Sequence, residues 1–208
     1  MLVCGVDEAG RGSMIGPLVV AGISVKQSKL KTLSNLGVRD SKKLTPQARE
    51  NLYKKITDLA DDYAVSKISP KQVDSYVAKH QLNHLEASNM AKVIKKMKPS
   101  ISYVDACDIN AARFGDKIAS LANTGKIKSY HHADSTFVIV SAASIIAKVT
   151  RDRAIARLNR EYDLGSGYPS DPKTVEFVRD WFSRHGQVPD FVRKSWSPVK
   201  LLMSQTLL

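Results

Sequence analysis

Four acids stand where chemistry could gather. Asp7 and Glu8 adjoin at the end of the apolar run LVCGV, and the turn Gly10-Arg11-Gly12 follows at once. Asp105 closes the run Ile101-Ser102-Tyr103-Val104, and Asp134 closes the segment from Lys126 to Ala133. In an open α/β sheet the ends of strands border the crevice where ligands bind. If these three strands are neighbours, carboxylates distant in sequence converge there. Like charges at close range resist joint ionisation, and a cation relieves them. An all-oxygen donor set suits Mg²⁺ or Mn²⁺, which keep several waters and accept substrate phosphate. Two such ions roughly 4 Å apart would activate a water and stabilise the leaving oxygen of a phosphodiester. A structural role competes with this: Asp105 or Asp108 could cap the helix that follows. Neighbours in an extended strand also face opposite ways, so spacing alone leaves the four-carboxylate site open.

Other stretches carry weaker signals. The glycines at 10, 12 and 16 do not make a dinucleotide fingerprint, because Ile15 stands where the third glycine belongs and Pro17 and a strand follow. The turn reads either as exposed amides able to approach a phosphate or sugar, with Arg11 alongside, or as a hairpin turn without a ligand. Lys42 lies in the polar loop Asp40-Ser41-Lys42-Lys43-Leu44, which could grip phosphate or simply be solvated. Tyr168, between Gly167 and Pro169, could stack on a sugar or base or merely pack. His131 and His132 neighbour Asp134 and could transfer a proton or ligate metal, but such a pair at a strand end is usually incidental.

The elements that must position these residues follow from pattern. Leu2–Val6, Leu18–Val25, Tyr63–Ile68, Ile101–Val104 and Lys126–Ala133 read as strands. Thr45-Pro46, Ser69-Pro70, Asp171-Pro172 and Ser197-Pro198 each set a capping side chain before proline, predicting helices at 46–60, 70–79, 172–184 and 198–205. Helical spacing predicts further helices at 83–98, 109–122 and 136–162. In the last, Ser141, Ala143, Ser144 and Ala147 permit close backbone approach. Strands alternating with helices indicate an α/β class with a mixed sheet.

Composition bounds the function. The 208 residues are 43% hydrophobic and 25% charged, ordinary for a globular chain. Thirty-two Lys and Arg against 20 Asp and Glu leave a net charge of +12, a field that attracts polyanions such as nucleic acid. No run approaches the ~18 apolar residues of a membrane span. No basic leader precedes an apolar segment, and Cys4 and Cys107 are the only cysteines, so a cytoplasmic location without disulfides is expected.

Five blocks, in order, together resemble the type 2 ribonucleases H, particularly the archaeal form: GVDEAGRGSMIGPLVVAG, DSKKLTP, YVDA, HHADSTFVIVSAASIIAKVTRDR and GSGYPSDPKT. The resemblance implies a ribonuclease H-like fold, with a mixed five-stranded sheet flanked by helices and a small C-terminal helical part. It implies a catalytic domain at 1–183 and a helical appendage at 184–208. It places the family's metal-binding, catalytic acids on Asp7, Glu8, Asp105 and Asp134. Substrate contacts fall on Gly10, Arg11 and Gly12 at the 2′-hydroxyl side of the scissile linkage, Lys42 at phosphate, and Tyr168 at the RNA–DNA junction. The implied activity is hydrolysis of RNA in RNA–DNA hybrids and cutting 5′ of ribonucleotides embedded in DNA. The products carry a 3′-hydroxyl and a 5′-phosphate, and Mg²⁺ or Mn²⁺ is the cofactor, two ions with substrate bound. The partners are RNA–DNA hybrid and ribonucleotide-containing DNA. No membrane and no obligate protein partner is expected, and the chain is read as a monomer. A non-catalytic basic RNA-binding protein, or another metal nuclease of the same fold, is the alternative.

Overall fold

Strand β2 (Leu18–Lys26) is buried at every residue but its last, and β1 (Leu2–Ala9) is almost as buried. Such continuous burial marks strands covered on both faces. They pair antiparallel, while β4 (Ile101–Asp105) runs parallel to β1 and β5 (Lys126–Tyr130) runs parallel to β4. With β3 (Asp62–Ile68) at the far edge, the sheet order is β3-β2-β1-β4-β5. This is the mixed five-stranded sheet expected from the sequence. The computed structural model describes residues 1–38 and 44–206.

The helices are α1 (Leu30–Asn35), α2 (Pro46–Leu59), α3 (Pro70–Val77), α4 (Leu82–Met97), α5 (Ala111–Ala122), α6 (Ala133–Thr136), α7 (Val138–Tyr162), α8 (Pro172–His185) and α9 (Ser197–Thr206). Capping chemistry starts several of them as predicted. Thr45 accepts the Ala48 N–H, Ser69 and Gln72 form a reciprocal capping box, and Asp171 accepts the Lys173 N–H. Helix α5 begins on Asn110, which accepts the Arg113 N–H, so neither Asp105 nor Asp108 is its cap.

Two compact units partition the chain. The first comprises 1–9, 19–66 and 83–149; the second comprises 10–18, 67–82 and 150–208. In the first, α7 and α4 cover opposite faces of the sheet. A Cβ on Gly5 would overlap the Ile139 carbonyl of α7, whereas one on Gly22, opposite Val6, would meet Val93 and Met97 of α4. Ser141, Ala143, Ser144 and Ala147 are all buried in α7, so the small residues do allow the close approach. The second unit has its own apolar core, built around Met14, Ile15, Ile155, Val178, Phe182 and Val199. No described helix is long and apolar enough to cross a membrane.

Two strand ends differ from expectation, and one short helix is new. Strand β1 continues past Val6 to Ala9, because Asp7, Glu8 and Ala9 pair with Ala21, Val20 and Val19. Asp7 and Glu8 therefore lie inside a strand. Strand β5 stops at Tyr130, and Asp134 rides on the one-turn helix α6. The short helix α1 has too little amphipathic length to be read from periodicity.

Candidate active site

Strand pairing brings the first three acids together. Val6 pairs with Val104, so Asp7 and Asp105 are the next residues along two adjacent parallel strands. Asp7 is buried, and its Oδ1 accepts the Glu8 N–H at 2.7 Å. Burial, then the charges of Glu8 and Asp105, push the Asp7 carboxyl well above the usual carboxylate range. The three groups thus feel one another, although Asp7 and Glu8 leave the strand toward opposite faces.

Asp134 reaches the same strand ends by a different route. Asp105 Oδ1 accepts the Ala133 N–H at 2.6 Å, which ties the start of α6 to the end of β4. The Ala106 N–H donates to the Tyr130 carbonyl at 2.9 Å, continuing the β4–β5 ladder one step. Ser141 Oγ on α7 donates to the Asp134 carbonyl, and Ser135 Oγ donates to its carboxylate at 3.2 Å. His132 takes a left-handed conformation (φ 55°) at the N-cap of α6, and His131 Nε2 pairs with the Ile109 carbonyl at 3.1 Å.

A divalent cation fits this donor set. The residues offer hard carboxylate oxygens, and the raised Asp7 carboxyl registers the repulsion that bound positive charge would remove. Among the described residues no group of three or more His, Cys, Asp or Glu side chains is placed to hold a metal ion as it stands. The carboxylates are adjacent rather than converged on one point. Mutual repulsion among bare carboxylates works in that direction.

The remaining sequence-predicted residues belong to the second unit, save one. Lys42 lies outside the described residues. Gly10 has φ +87°, and a Cβ there would stand 2.7 Å from Arg151 Cδ and Nε. Gly12 differs: its φ is not positive, it is exposed, and a Cβ there would meet nothing within 4 Å. Tyr168 is half-buried, with the Arg151 guanidinium 4.1 Å from its ring centroid. Arg151 also donates to the Ser166 carbonyl at 3.0 Å. The Met14 and Ile15 N–H groups both donate to the Gly167 carbonyl, at 2.8 and 3.1 Å, so the turn and the Tyr168 loop are joined. Sequence reasoning passed over Arg151. Arg151 directly follows the run VIVSAASIIAKVT, and a charge so placed is buried only with a task.

Comparison with known proteins gives the family. The family model described as Ribonuclease HII matches residues 4–199. The chain belongs to the ribonuclease HII family. Ribonuclease HII of Cenarchaeum symbiosum is 54% identical over 202 residues, covering 97% of this chain and 98% of that protein. The crystal structure of ribonuclease H2 from Pyrococcus horikoshii OT3 superposes with a TM-score of 0.93 at 41% identity, covering 100% of this chain and 99% of that one. The ribonuclease HII in the PCNA:RNase HII complex of Archaeoglobus fulgidus has a TM-score of 0.89 at 39% identity, covering 95% and 96%. As a ribonuclease HII the chain is an enzyme, a hydrolase acting on RNA in RNA–DNA hybrids, and its family is dependent on divalent metal.

Proposed function

We propose that this ribonuclease HII cuts both the RNA strand of RNA–DNA hybrids and the 5′ side of single ribonucleotides in duplex DNA. It leaves a 3′-hydroxyl and a 5′-phosphate. The observation that carries the reading is the hydrogen bond from Ala133 to Asp105. It draws the segment bearing Asp134 to the strand end beside Asp7.

In this reading Asp7, Glu8, Asp105 and Asp134 hold the metal. When bound, Mg²⁺ or Mn²⁺, as two ions with substrate in place, supplies Lewis-acid activation of water and of the phosphodiester. Asp7, anchored by the Glu8 amide, presents its remaining oxygen capacity from a buried and therefore fixed position. Asp105 spends one oxygen on Ala133 and so keeps a defined orientation. Gly10, Arg11 and Gly12 contact the sugar that bears the 2′-hydroxyl, the group that separates RNA from DNA. The empty space around Gly12 supports this, because nothing in the protein itself excludes a side chain there. Tyr168 stacks at the RNA–DNA junction, its ring backed by Arg151. Lys42 belongs to the reading by resemblance alone.

The same proposal takes 1–183 as catalytic domain and 184–208 as helical appendage, and it takes the enzyme as a cytoplasmic monomer working without an obligate protein partner. The Archaeoglobus fulgidus complex makes PCNA the protein to test first as an optional partner. The deciding experiment uses a labelled DNA duplex with one ribonucleotide, in Mg²⁺ and in chelator, beside an all-DNA duplex and a matched RNA–DNA hybrid. Metal-dependent cutting 5′ of the ribonucleotide, with all-DNA intact, is the expected result. Binding without cleavage would favour a plain RNA-binding protein, and cutting of the all-DNA duplex another metal nuclease.

A further inference from the structure

The backbone of the turn 10–16 is held from its carbonyl side by one short segment of the same unit. Arg193 is fully buried. Its Nη1 donates to the Arg11 carbonyl at 2.9 Å, and its Nη2 and Nε donate to the Gly16 carbonyl at 3.2 and 3.3 Å. The Arg193 N–H takes the Met14 carbonyl at 2.9 Å, and the Gly16 N–H returns a bond to the Phe191 carbonyl at 2.8 Å. Trp196 Nε1 donates to the Gly12 carbonyl at 3.3 Å, and its ring lies 5.3 Å from the Arg193 guanidinium. Inside the turn, Ser13 N–H and Oγ close on the Gly10 carbonyl at 3.3 and 2.9 Å.

This pattern has a direct stereochemical consequence. In a trans peptide the carbonyl and the next N–H point in opposite directions. Drawing the Arg11 carbonyl onto Arg193 therefore turns the Gly12 N–H away from the buried guanidinium. Fixing the Gly10 carbonyl on Ser13 turns the Arg11 N–H away from Ser13. A buried guanidinium is tolerated only where its donors are taken, and here the carbonyls that take them belong to one turn. Burial and the neighbouring Arg151 lower the Arg193 pKa to about 10, which leaves it charged at neutral pH. Lysine could not replace it, since one ammonium cannot reproduce a planar fork spanning two carbonyls.

We propose that Arg193 and Trp196 are positioning residues: by holding the Arg11 and Gly12 carbonyls they fix the peptides on either side of Gly12 and so set the direction of the Gly12 N–H toward the substrate sugar. They thereby control the affinity of the enzyme for the ribonucleotide. The proposal rests on the reading of that turn as the substrate contact. It concerns residues that touch the turn rather than the substrate.

The test is steady-state cleavage of the single-ribonucleotide duplex by Arg193→Lys, Arg193→Gln and Trp196→Phe, with thermal melting and Mn²⁺ titration of each. Trp196→Phe keeps a ring over the guanidinium and deletes only the donor to Gly12. It should melt like the wild type, bind Mn²⁺ equally and raise KM about threefold with kcat nearly unchanged, as loss of binding shared equally by ground and transition states requires. Arg193→Lys and Arg193→Gln should each lower kcat/KM at least tenfold per folded molecule. If Trp196→Phe keeps a wild-type KM, the proposal falls, whatever the arginine variants do to folding. A wild-type enzyme that cuts no ribonucleotide substrate would sink the functional reading and the inference together. A cutting wild type with an unaffected Trp196→Phe would sink the inference alone.

Discussion

Asp105 Oδ1 accepts the Ala133 amide N–H at 2.6 Å, and this bond couples the end of one strand to the helix that carries the next acid. Strand pairing accounts for Asp7 beside Asp105, but no ladder reaches Asp134. The carboxylate of one proposed metal-binding residue organises the approach of another. A group in that position has two tasks, and substitution should separate them.

Asp105→Asn keeps an oxygen for Ala133 and removes a negative charge that raises the Asp7 carboxyl. Turnover should fall at least 100-fold in Mg²⁺. In metal-free buffer the variant should melt at or above the wild-type temperature, because repulsion has been relieved. Added Mn²⁺ should raise the wild-type melting temperature and leave the variant nearly unmoved. Calorimetry of both proteins with and without Mn²⁺ checks all three statements.

Gly12→Ala separates recognition from folding. The position has ordinary φ and open space, so alanine should leave the melting temperature within about 2 °C of wild type, as Gly-to-Ala changes at compatible sites do. Cleavage at a single ribonucleotide should still drop at least tenfold, since the added methyl would stand where the sugar approaches. A variant with full activity would remove Gly12 from the substrate contact.

Gly5→Ala should do the reverse. The new methyl would overlap the Ile139 backbone carbonyl, which cannot rotate away as a side chain would. Strand and helix must separate, at a cost of about 3 kcal/mol or more. Urea unfolding should show the loss directly, with residual activity scaling with the folded fraction.

Asp108 supplies a pH dependence. The Asn110 backbone N–H, then Arg113 and Asn83, hold its carboxyl down to about 2. Because the unfolded carboxyl titrates near 4, the folded state binds its proton less tightly. The contribution is therefore complete above about pH 5 and fades as pH falls from about 4 toward 2. Asp108→Asn should melt below wild type at pH 7, with the difference closing by pH 2. Melting curves at pH 7, 4 and 2 in metal-free buffer provide the check.

Much of this architecture was legible in residue order. Proline after Thr45, Ser69 and Asp171 marked helix starts because capping is local chemistry, complete within four residues. The apolar strands declared themselves because central strands are buried on both faces. The acids at the ends of apolar runs marked a site for the same reason: a charge that closes such a run needs a partner or a cation. The four-carboxylate site itself was not decidable from spacing.

What the chain alone determined was most of its elements, its positive charge and the candidate acids. Tertiary structure decided which of these meet. Only the order β1-β4-β5 makes Asp7 and Asp105 neighbours, and only a hydrogen bond across 28 residues brings Asp134 into line. The extension of β1 through Asp7 and Glu8 depends on partners in β2, and the burial of Arg193 depends on carbonyls some 180 residues earlier. Local propensity carries no record of such pairings. They arise because backbone groups and buried charges must find partners wherever folding leaves them.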